Sequence, residues 1–182
     1  MPEKRTPVAP VNSVRVLLYR AGKPLSLIVR QSSNGSRWGL LGGKIEFGEP
    51  IEKRVVEEVQ EEAEIERVSD IRPVTSVYVP NKLLSYTLPK WQALGYAVDL
   101  IDRKAESIVL ANQVIIVFAA WTDDPLPDHE VEGREIAELD IRPEGNLERI
   151  KARHRVIAHA WRENLLRGKA IPPLLFHEEN GE

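Results

Sequence analysis

The sequence predicts an α/β fold in which a mixed β-sheet carries helices on both of its sides. Two observations predict it: runs rich in Val, Leu and Ile have the length of strands, and longer segments repeat apolar residues at spacings of three and four. A chain of 182 residues is typical of one domain with some elaboration. We therefore expect a single domain over residues 1–182, in which the Pro-rich residues 1–10 form a flexible arm.

Several apolar runs are predicted to be strands. The first two are joined by a short turn at Gly22-Lys23-Pro24. Val114–Thr122 is apolar throughout, which is typical of a central strand that is buried on both faces. In chain order the predicted strands are Val11–Arg20, Leu25–Gln31, Val74–Val79, Val114–Thr122 and Arg134–Asp140.

The segment from residue 80 to residue 112 is less regular. Pro80–Pro89 begins and ends with proline and predicts a loop. Lys90–Ala105 predicts a helix, because its apolar residues recur at spacings of three and four. Ser107–Leu110 predicts a short strand.

A long helix is predicted near the C-terminus, within residues 143–168. Asn146–Arg167 carries an apolar face, and Gly168 is the residue type that ends a helix in a left-handed conformation. The apolar face comprises Leu147, Ile150, Ile157, Ala160, Trp161 and Leu165.

The composition excludes several classes of function. A net charge of −3 gives no electrostatic case for binding a nucleic acid polymer. The chain has no run of about 18 apolar residues, so no membrane partner is expected. The absence of cysteine excludes disulfides and thiol chemistry. Because no signal-peptide pattern is present either, we expect a cytoplasmic protein.

The stretch Trp38–Ile65 carries the chemistry of the chain. It places a Gly-Gly pair before Glu49, and Pro50 follows, which suits the first turn of a helix. No further Gly or Pro occurs until Pro73, so the pattern predicts a helix from Pro50 to the mid-60s.

On this helix the carboxylates of Glu58, Glu61 and Glu62 fall along one edge of the apolar stripe. Like charges at this spacing repel each other, and partial burial strengthens the repulsion. A hard cation such as Mg²⁺, which takes carboxylate oxygens as ligands, would relieve it. A solvated acidic face is the usual explanation of such a pattern, but the glycine pair at a fixed spacing favours a metal site.

The same stretch resembles the Nudix box, G-x5-E-x7-R-E-U-x-E-E-x-G-U, in which U is an apolar residue. Two positions depart from it: Glu57 stands where the family has Arg, and Glu64 stands where it has the second Gly. The resemblance implies a Nudix-type α/β/α sandwich with a mixed β-sheet and an added C-terminal helix. The matching positions are Gly43, Glu49, Glu58, Val59, Glu61, Glu62 and Ile65.

The resemblance also implies a function. Nudix hydrolases cleave a pyrophosphate bond in a nucleoside diphosphate linked to another moiety, with Mg²⁺ or Mn²⁺. Here the metal would be held by Glu58, Glu61 and Glu62 together with the backbone carbonyl of Gly42. The partner would be a small-molecule nucleoside diphosphate derivative, and a homodimer is left open. The alternative is a Nudix-fold module that binds nucleotides or regulates without turnover.

A further acid is expected from the loop before the last strand, as in some members of the family. Glu130 and Glu132 both occupy the corresponding place, and Glu130 is favoured because it lies six residues before Ile136, the apolar start of that strand. Solvated loop acids are the equal alternative for each of them. Glu46 also has two interpretations: it could add a carboxylate to the site, or it could be an exposed loop residue.

Arg54 is expected to take over the role of the missing family arginine. On the helical wheel it lies between Glu58 and Glu61, one turn nearer the N-terminus, and it is i,i+4 to Glu58. An ordinary surface ion pair, which contributes little to stability, is the alternative.

Three expectations concern the rest of the stretch. Glu64 tolerates a left-handed conformation poorly, so the helix is expected to continue to Arg67. Glu49 is expected to support the junction between loop and helix. Trp38 is interpreted as a core anchor rather than a residue that stacks on a ligand.

Overall fold

The structure, a computed structural model, describes residues 11–86 and 107–177, with side chains described for residues 11–80 and 112–177. The expected arm at residues 1–10 and the predicted helix Lys90–Ala105 lie outside the described residues. The strands are β1 (Val11–Arg20), β2 (Lys23–Gln31), β3 (Trp38–Leu40), β4 (Ser69–Tyr86), β5 (Ser107–Thr122), β6 (Ile136–Asp140) and β7 (Leu174–Leu175), and the α-helices are α1 (Ile51–Ala63) and α2 (Ala152–Arg167).

The sheet is mixed, as predicted. Among the described residues, six strands follow the order β3-β2-β1-β5-β4-β7, and the seventh strand, β6, pairs with β2. β1 runs parallel to β5 and antiparallel to β2. β6 pairs with β2 from Ser26↔Asp140 to Arg30↔Ile136. This pairing places the loop before β6 beside the C-terminal end of β2.

The two faces of the sheet bury two separate apolar layers. Side chains alternate along β1, so that Leu17 and Tyr19 face α2 while Val16 and Leu18 face α1. The predicted sandwich with helices on both sides is therefore confirmed. The α1 layer includes Val55, Val59, Ala63 and Ile65, and the α2 layer includes Ile157, Ala158 and Trp161.

β4 and β5 form one long antiparallel pair, which corrects two predictions. The segment Pro80–Pro89 is not a loop throughout, because β4 continues to Tyr86. The runs predicted as a short strand and a central strand belong to the single strand β5, which lies between β1 and β4. A register shift between Val79 and Lys82 takes Pro80, which has no N–H to donate, out of the regular ladder. Cross-strand pairing therefore overrides the proline signal.

The C-terminal helix is shorter than predicted. It begins at Ala152, because Ile150 is extended and pairs with Trp38, and the Lys151 N–H donates to the Trp38 carbonyl at 2.8 Å. Gly168 ends it in a left-handed conformation (φ +63°), as predicted. Within the described ranges, no helix has the length and apolar character needed to cross a membrane.

Helix α1 ends at Ala63, so its expected continuation to Arg67 is wrong. Glu64 adopts the left-handed conformation (φ +52°) that a glycine would take there, and its N–H donates to the Gln60 carbonyl at 3.0 Å. The strain, about 1–2 kcal/mol for a non-Gly residue, is offset by tertiary contacts. The Glu64 carboxylate lies 2.9 Å from His129 Nε2, and Ile65 is fully buried.

Asp124 fixes the backbone that leaves α1. Its Oδ2 accepts hydrogen bonds from the backbone N–H groups of Glu66 and Arg67 at 3.0 and 2.8 Å, and its Oδ1 accepts one from Arg67 Nε at 2.6 Å. The backbone hydrogen bond from Arg67, together with the Arg67 side chain, keeps the pKa of Asp124 below its usual value. This carboxylate therefore prevents the helix from continuing.

We predict that Asp124→Ala lowers the Tm by several degrees at pH 7, because two backbone N–H groups lose their acceptor. A lowered native pKa means that the stabilisation is present above the unfolded-state pKa of about 4 and is lost as the pH falls through the lower native pKa. The Tm difference between parent and variant should therefore shrink on acidification. Asp123→Ala, at the exposed neighbour, is the matched control. An unchanged Tm for Asp124→Ala at pH 7 would contradict this role.

Candidate active site

The candidate site begins at the turn between β3 and α1 that contains Gly42 and Gly43, which we call the glycine turn. The Gly43 carbonyl accepts from the Val14 N–H at 2.9 Å, and the Leu41 carbonyl accepts from the Val16 N–H at 3.0 Å, so the turn is fastened to β1. Gly42 has φ +131°, and a side chain there would collide with the Val14 carbonyl. Position 42 therefore requires glycine for steric reasons.

Glu58 reaches from α1 onto this turn. A Cβ at Gly43 would collide with the Glu58 carboxylate, so the absence of a side chain makes room for the acid. Glu58 is only 4% exposed. Burial, followed by the charge of Glu62, raises the pKa of Glu58, while Arg54 acts in the opposite direction. The protein thus holds a carboxylate in a place that disfavours its charge.

Arg54 lies where the sequence predicts it, among the carboxylates of α1. Its Nη2 donates to Glu58 and lies 3.3 Å from Glu61 Oε2. Its Nη1 lies 3.8 Å from Glu57 Oε2 and 4.0 Å from Glu49 Oε1. The guanidinium therefore balances several acids at once. In an ordinary surface ion pair, Arg54 would contact only one carboxylate.

Glu62 is held by two donors. The Gly42 N–H donates to its Oε2 at 2.8 Å, and Arg30 Nη1 donates to its Oε1 at 2.9 Å. Arg30 is only 6% exposed, and its Nη2 donates to Glu132 Oε2 at 2.6 Å. Sequence analysis missed Arg30, although a charged residue at the end of the apolar run of β2 was a usable signal. Arg30 connects helix α1 to the loop before β6.

The loop before β6 ends in a tight turn. Val131 and Arg134 exchange backbone hydrogen bonds of 3.0 and 3.1 Å, and Glu132 and Gly133 between them both have positive φ. This strained backbone directs Glu132 to Arg30. Glu130, which the sequence favours, is exposed and makes no hydrogen bond or ion pair with other residues that the structure describes. The structure thus connects Glu132, rather than Glu130, to the carboxylates.

Two other expected roles have a structural counterpart. The carboxylate of Glu49 accepts from the Glu46 N–H at 2.9 Å, which closes the loop before α1. Trp38 packs against the apolar layer under α2, and the Arg149 guanidinium lies 5.9 Å from the centre of its ring. These contacts agree with a junction role for Glu49 and a core role for Trp38.

The carboxylates are the right ligands for a divalent cation, but arginines contact them here. Glu58 and Glu61 face Arg54, and Glu62 faces Arg30. Within the described part of the chain, no three acidic or histidine side chains are arranged around a common cation position. The donor set fits a hard cation by its chemistry, and the Glu61 side chain, 58% exposed, has room to turn from Arg54 towards one.

Comparison with known proteins identifies the class. A model of the NUDIX domain matches residues 9–160, so the chain belongs to the Nudix family and the resemblance read from the sequence is confirmed. It is a Nudix-type pyrophosphohydrolase that acts on acid anhydrides. Nudix hydrolases generally cleave pyrophosphate bonds in small nucleoside diphosphate derivatives and use divalent metal ions. No curated protein matches the sequence.

Solved structures agree on the fold. A NUDIX hydrolase from Nitrosomonas europaea is 16% identical, with a TM-score of 0.58 over 97% of this chain and 85% of that one. A MutT protein from Bacillus halodurans is 14% identical, with a TM-score of 0.57 over 93% and 91%. The E. coli dihydroneopterin triphosphate pyrophosphohydrolase is 15% identical, with a TM-score of 0.51 over 84% and 95%. At these identities the likeness concerns the fold alone.

We predict that Arg54→Ala lowers kcat/KM by about tenfold or more, because Glu58 and Glu61 lose their common orienting cation. Glu57→Arg on that background returns an arginine to the family position and should recover part of the loss. Both variants are assayed for hydrolysis and for Tm. Lys53→Ala, which removes an exposed neighbouring cation paired with Glu57, is the control. If Arg54→Ala hydrolyses substrate like the parent, Arg54 is only a surface residue.

Proposed function

We propose that this protein hydrolyses a pyrophosphate bond in a nucleoside diphosphate linked to another moiety, with Mg²⁺ or Mn²⁺ as the cation. The observation that carries the proposal is the position of the Glu58 and Glu62 carboxylates against the glycine turn, with Glu61 on the same edge of α1. The proposed substrate is a small molecule, and the proposed site of action is the cytoplasm.

Each residue near the turn has a proposed part in this reaction. Glu58, Glu61, Glu62 and the Gly42 carbonyl would hold the cation, which when bound neutralises diphosphate charge and lowers the pKa of an attacking water. Gly43 lets Glu58 lie against the backbone, and the Gly42 N–H orients Glu62. This fixed placement of oxygen ligands is the protein's contribution to transition-state stabilisation.

Arg54 and Arg30 balance the same carboxylates. Removing a cation partner from a buried acid is costly, so the arginines stabilise the folded arrangement of these carboxylates. Glu58 and Glu61 would have to turn from Arg54 in order to hold a divalent cation. Arg30, which bridges Glu62 and Glu132, is more deeply buried and keeps the loop acid next to the site throughout.

We predict that Glu61→Gln and Glu62→Gln each lower Mg²⁺-dependent hydrolysis by at least about a hundredfold, because each removes a charged oxygen ligand. The Tm should hold in Glu61→Gln, whose side chain is 58% exposed, and should fall by a few degrees in Glu62→Gln, because buried Arg30 loses one of its two charged partners. Hydrolysis is measured on a panel of nucleoside diphosphate derivatives with Mg²⁺ and with EDTA. Glu52→Gln, at an exposed acid of the same helix, is the control.

Two results would overturn these assignments. Near-parental rates in both Glu61→Gln and Glu62→Gln would mean that the metal site lies elsewhere. Binding of panel compounds by the parent without any turnover would favour the binding module over the hydrolase.

We also predict that an acid in the loop before β6 takes part in the reaction. The two candidates, Glu130 and Glu132, can be distinguished by kinetics. Glu132→Gln should lower kcat by about tenfold with little change in KM, the pattern of an interaction made mainly in the transition state. Glu130→Gln should have the smaller effect, because only Glu132 is joined to Glu62 through Arg30. Steady-state kinetics of both variants decide between them. A larger loss at Glu130 would restore the sequence-based preference.

A further inference from the structure

A group of cations lies beside the carboxylates, and we call Arg15, Arg134, Lys151 and Arg153 the basic cluster. They come from β1, from the tight turn before β6 and from the start of α2. The Arg15 guanidinium lies beside the glycine turn, because its Nη1 donates to the Val14 carbonyl at 2.7 Å, and a Cβ at Gly42 would collide with that same carbonyl. The basic cluster therefore adjoins the acidic one.

Close contacts fix the start of α2 against β3. The Lys151 N–H donates to the Trp38 carbonyl, and the Leu40 N–H donates to His154 Nδ1 at 3.0 Å. A Cβ at Gly39 would lie 3.0 Å from that nitrogen and 3.8 Å from Lys151 Cδ, so the lysine stem passes directly over the strand. Because β3 leads straight into the glycine turn, Lys151 is held close to the reaction site.

Protein groups hold two arginines of the cluster in place. Arg153 Nη1 donates to Gln113 Oε1 at 3.3 Å, and Gln113 is fully buried. Arg15 Nε lies 3.0 Å from His154 Nε2. A neutral imidazole accepts at one nitrogen only, and Leu40 uses Nδ1, so the Arg15 contact positions the guanidinium without a full hydrogen bond.

Lys151 differs from these arginines. It is half-buried, and its side-chain ammonium has no hydrogen bond or ion pair with any residue in the described part of the chain. Burial is the main cause that lowers its pKa, followed by the charges of Arg153, Arg15 and Arg134, whereas Glu62 acts weakly in the opposite direction. An ammonium in this position lacks an anion.

We propose that Lys151 binds a phosphate group of the substrate beyond those held at the carboxylates, and that the three arginines supply the surrounding positive field. The inference rests on the proposed function and narrows its substrate class. The site would bind nucleotide derivatives that carry a further phosphate more tightly than derivatives whose second moiety is uncharged. Electrostatic attraction of this kind is strongest for groups that are partly removed from water.

The test measures binding of inorganic pyrophosphate in EDTA, where hydrolysis plays no part. Lys151→Gln should weaken binding at least about tenfold, and Lys151→Arg should keep most of it. Lys169→Gln, at an exposed lysine near the end of α2, should bind like the parent. In the parent, pyrophosphate should also raise the pKa of Lys151, measured by NMR titration of its side chain.

The outcomes distinguish this inference from the proposed hydrolysis. Equal binding by the parent and Lys151→Gln, or an unmoved Lys151 pKa, overturns the inference even if the protein hydrolyses nucleotides with Mg²⁺. Weakened binding in Lys151→Gln with a parental Tm supports it even if no panel compound is hydrolysed. An equal loss in Lys169→Gln would show that only net charge matters, and would overturn it.

Discussion

The site depends on the close approach of the Glu58 carboxylate to the backbone at Gly43. Two hydrogen bonds from β1 fix the glycine turn, and α1 is fixed by the apolar layer that it buries against the same strand. A buried carboxylate is costly unless something compensates for its charge. The turn, the helix and the arginine that balances Glu58 therefore have to be in place together.

Other arginines of this chain balance the acids of α1, although the family arginine is missing. The arginine position carries Glu57, which increases the negative charge of α1. Arg54, one turn earlier, still reaches Glu58 and Glu61, because residues four apart lie above one another on a helix. Arg30 balances Glu62 from the neighbouring strand. Arginines of α1 and β2 thus balance the charge of carboxylates that all belong to α1.

The site also has two walls of opposite charge. Carboxylates of α1 form one, and the basic cluster around Lys151 forms the other. The two walls meet at the glycine turn, which contacts Glu58 and Glu62 on one side and Arg15 on the other. A diphosphate with a bound cation suits one wall, and a further phosphate suits the other. This arrangement links the proposed chemistry to a proposed choice of substrate.

Many features of the fold could be predicted from the type and spacing of residues within short segments. The bounds of β1, the buried strand at residues 114–122, α1 and its acidic edge, and the stop at Gly168 all follow from residue spacing and type. Arg54 could be placed beside Glu58 in the same way, because the geometry of a helix fixes which of its residues are neighbours. Information of this kind lies within a few residues of each position.

Contacts between distant segments decided the rest. The end of α1 depends on Asp124, some sixty residues away, and the start of α2 depends on Trp38. Arg30 and Glu132 meet because β6 pairs with β2, and Lys151 reaches the site because α2 begins against β3. The sequence by itself determined the family, the order of the main elements and the acidic edge of α1, since these are local. Only the tertiary structure decided which charges face that edge, because strand pairing and packing, not residue spacing, bring them together.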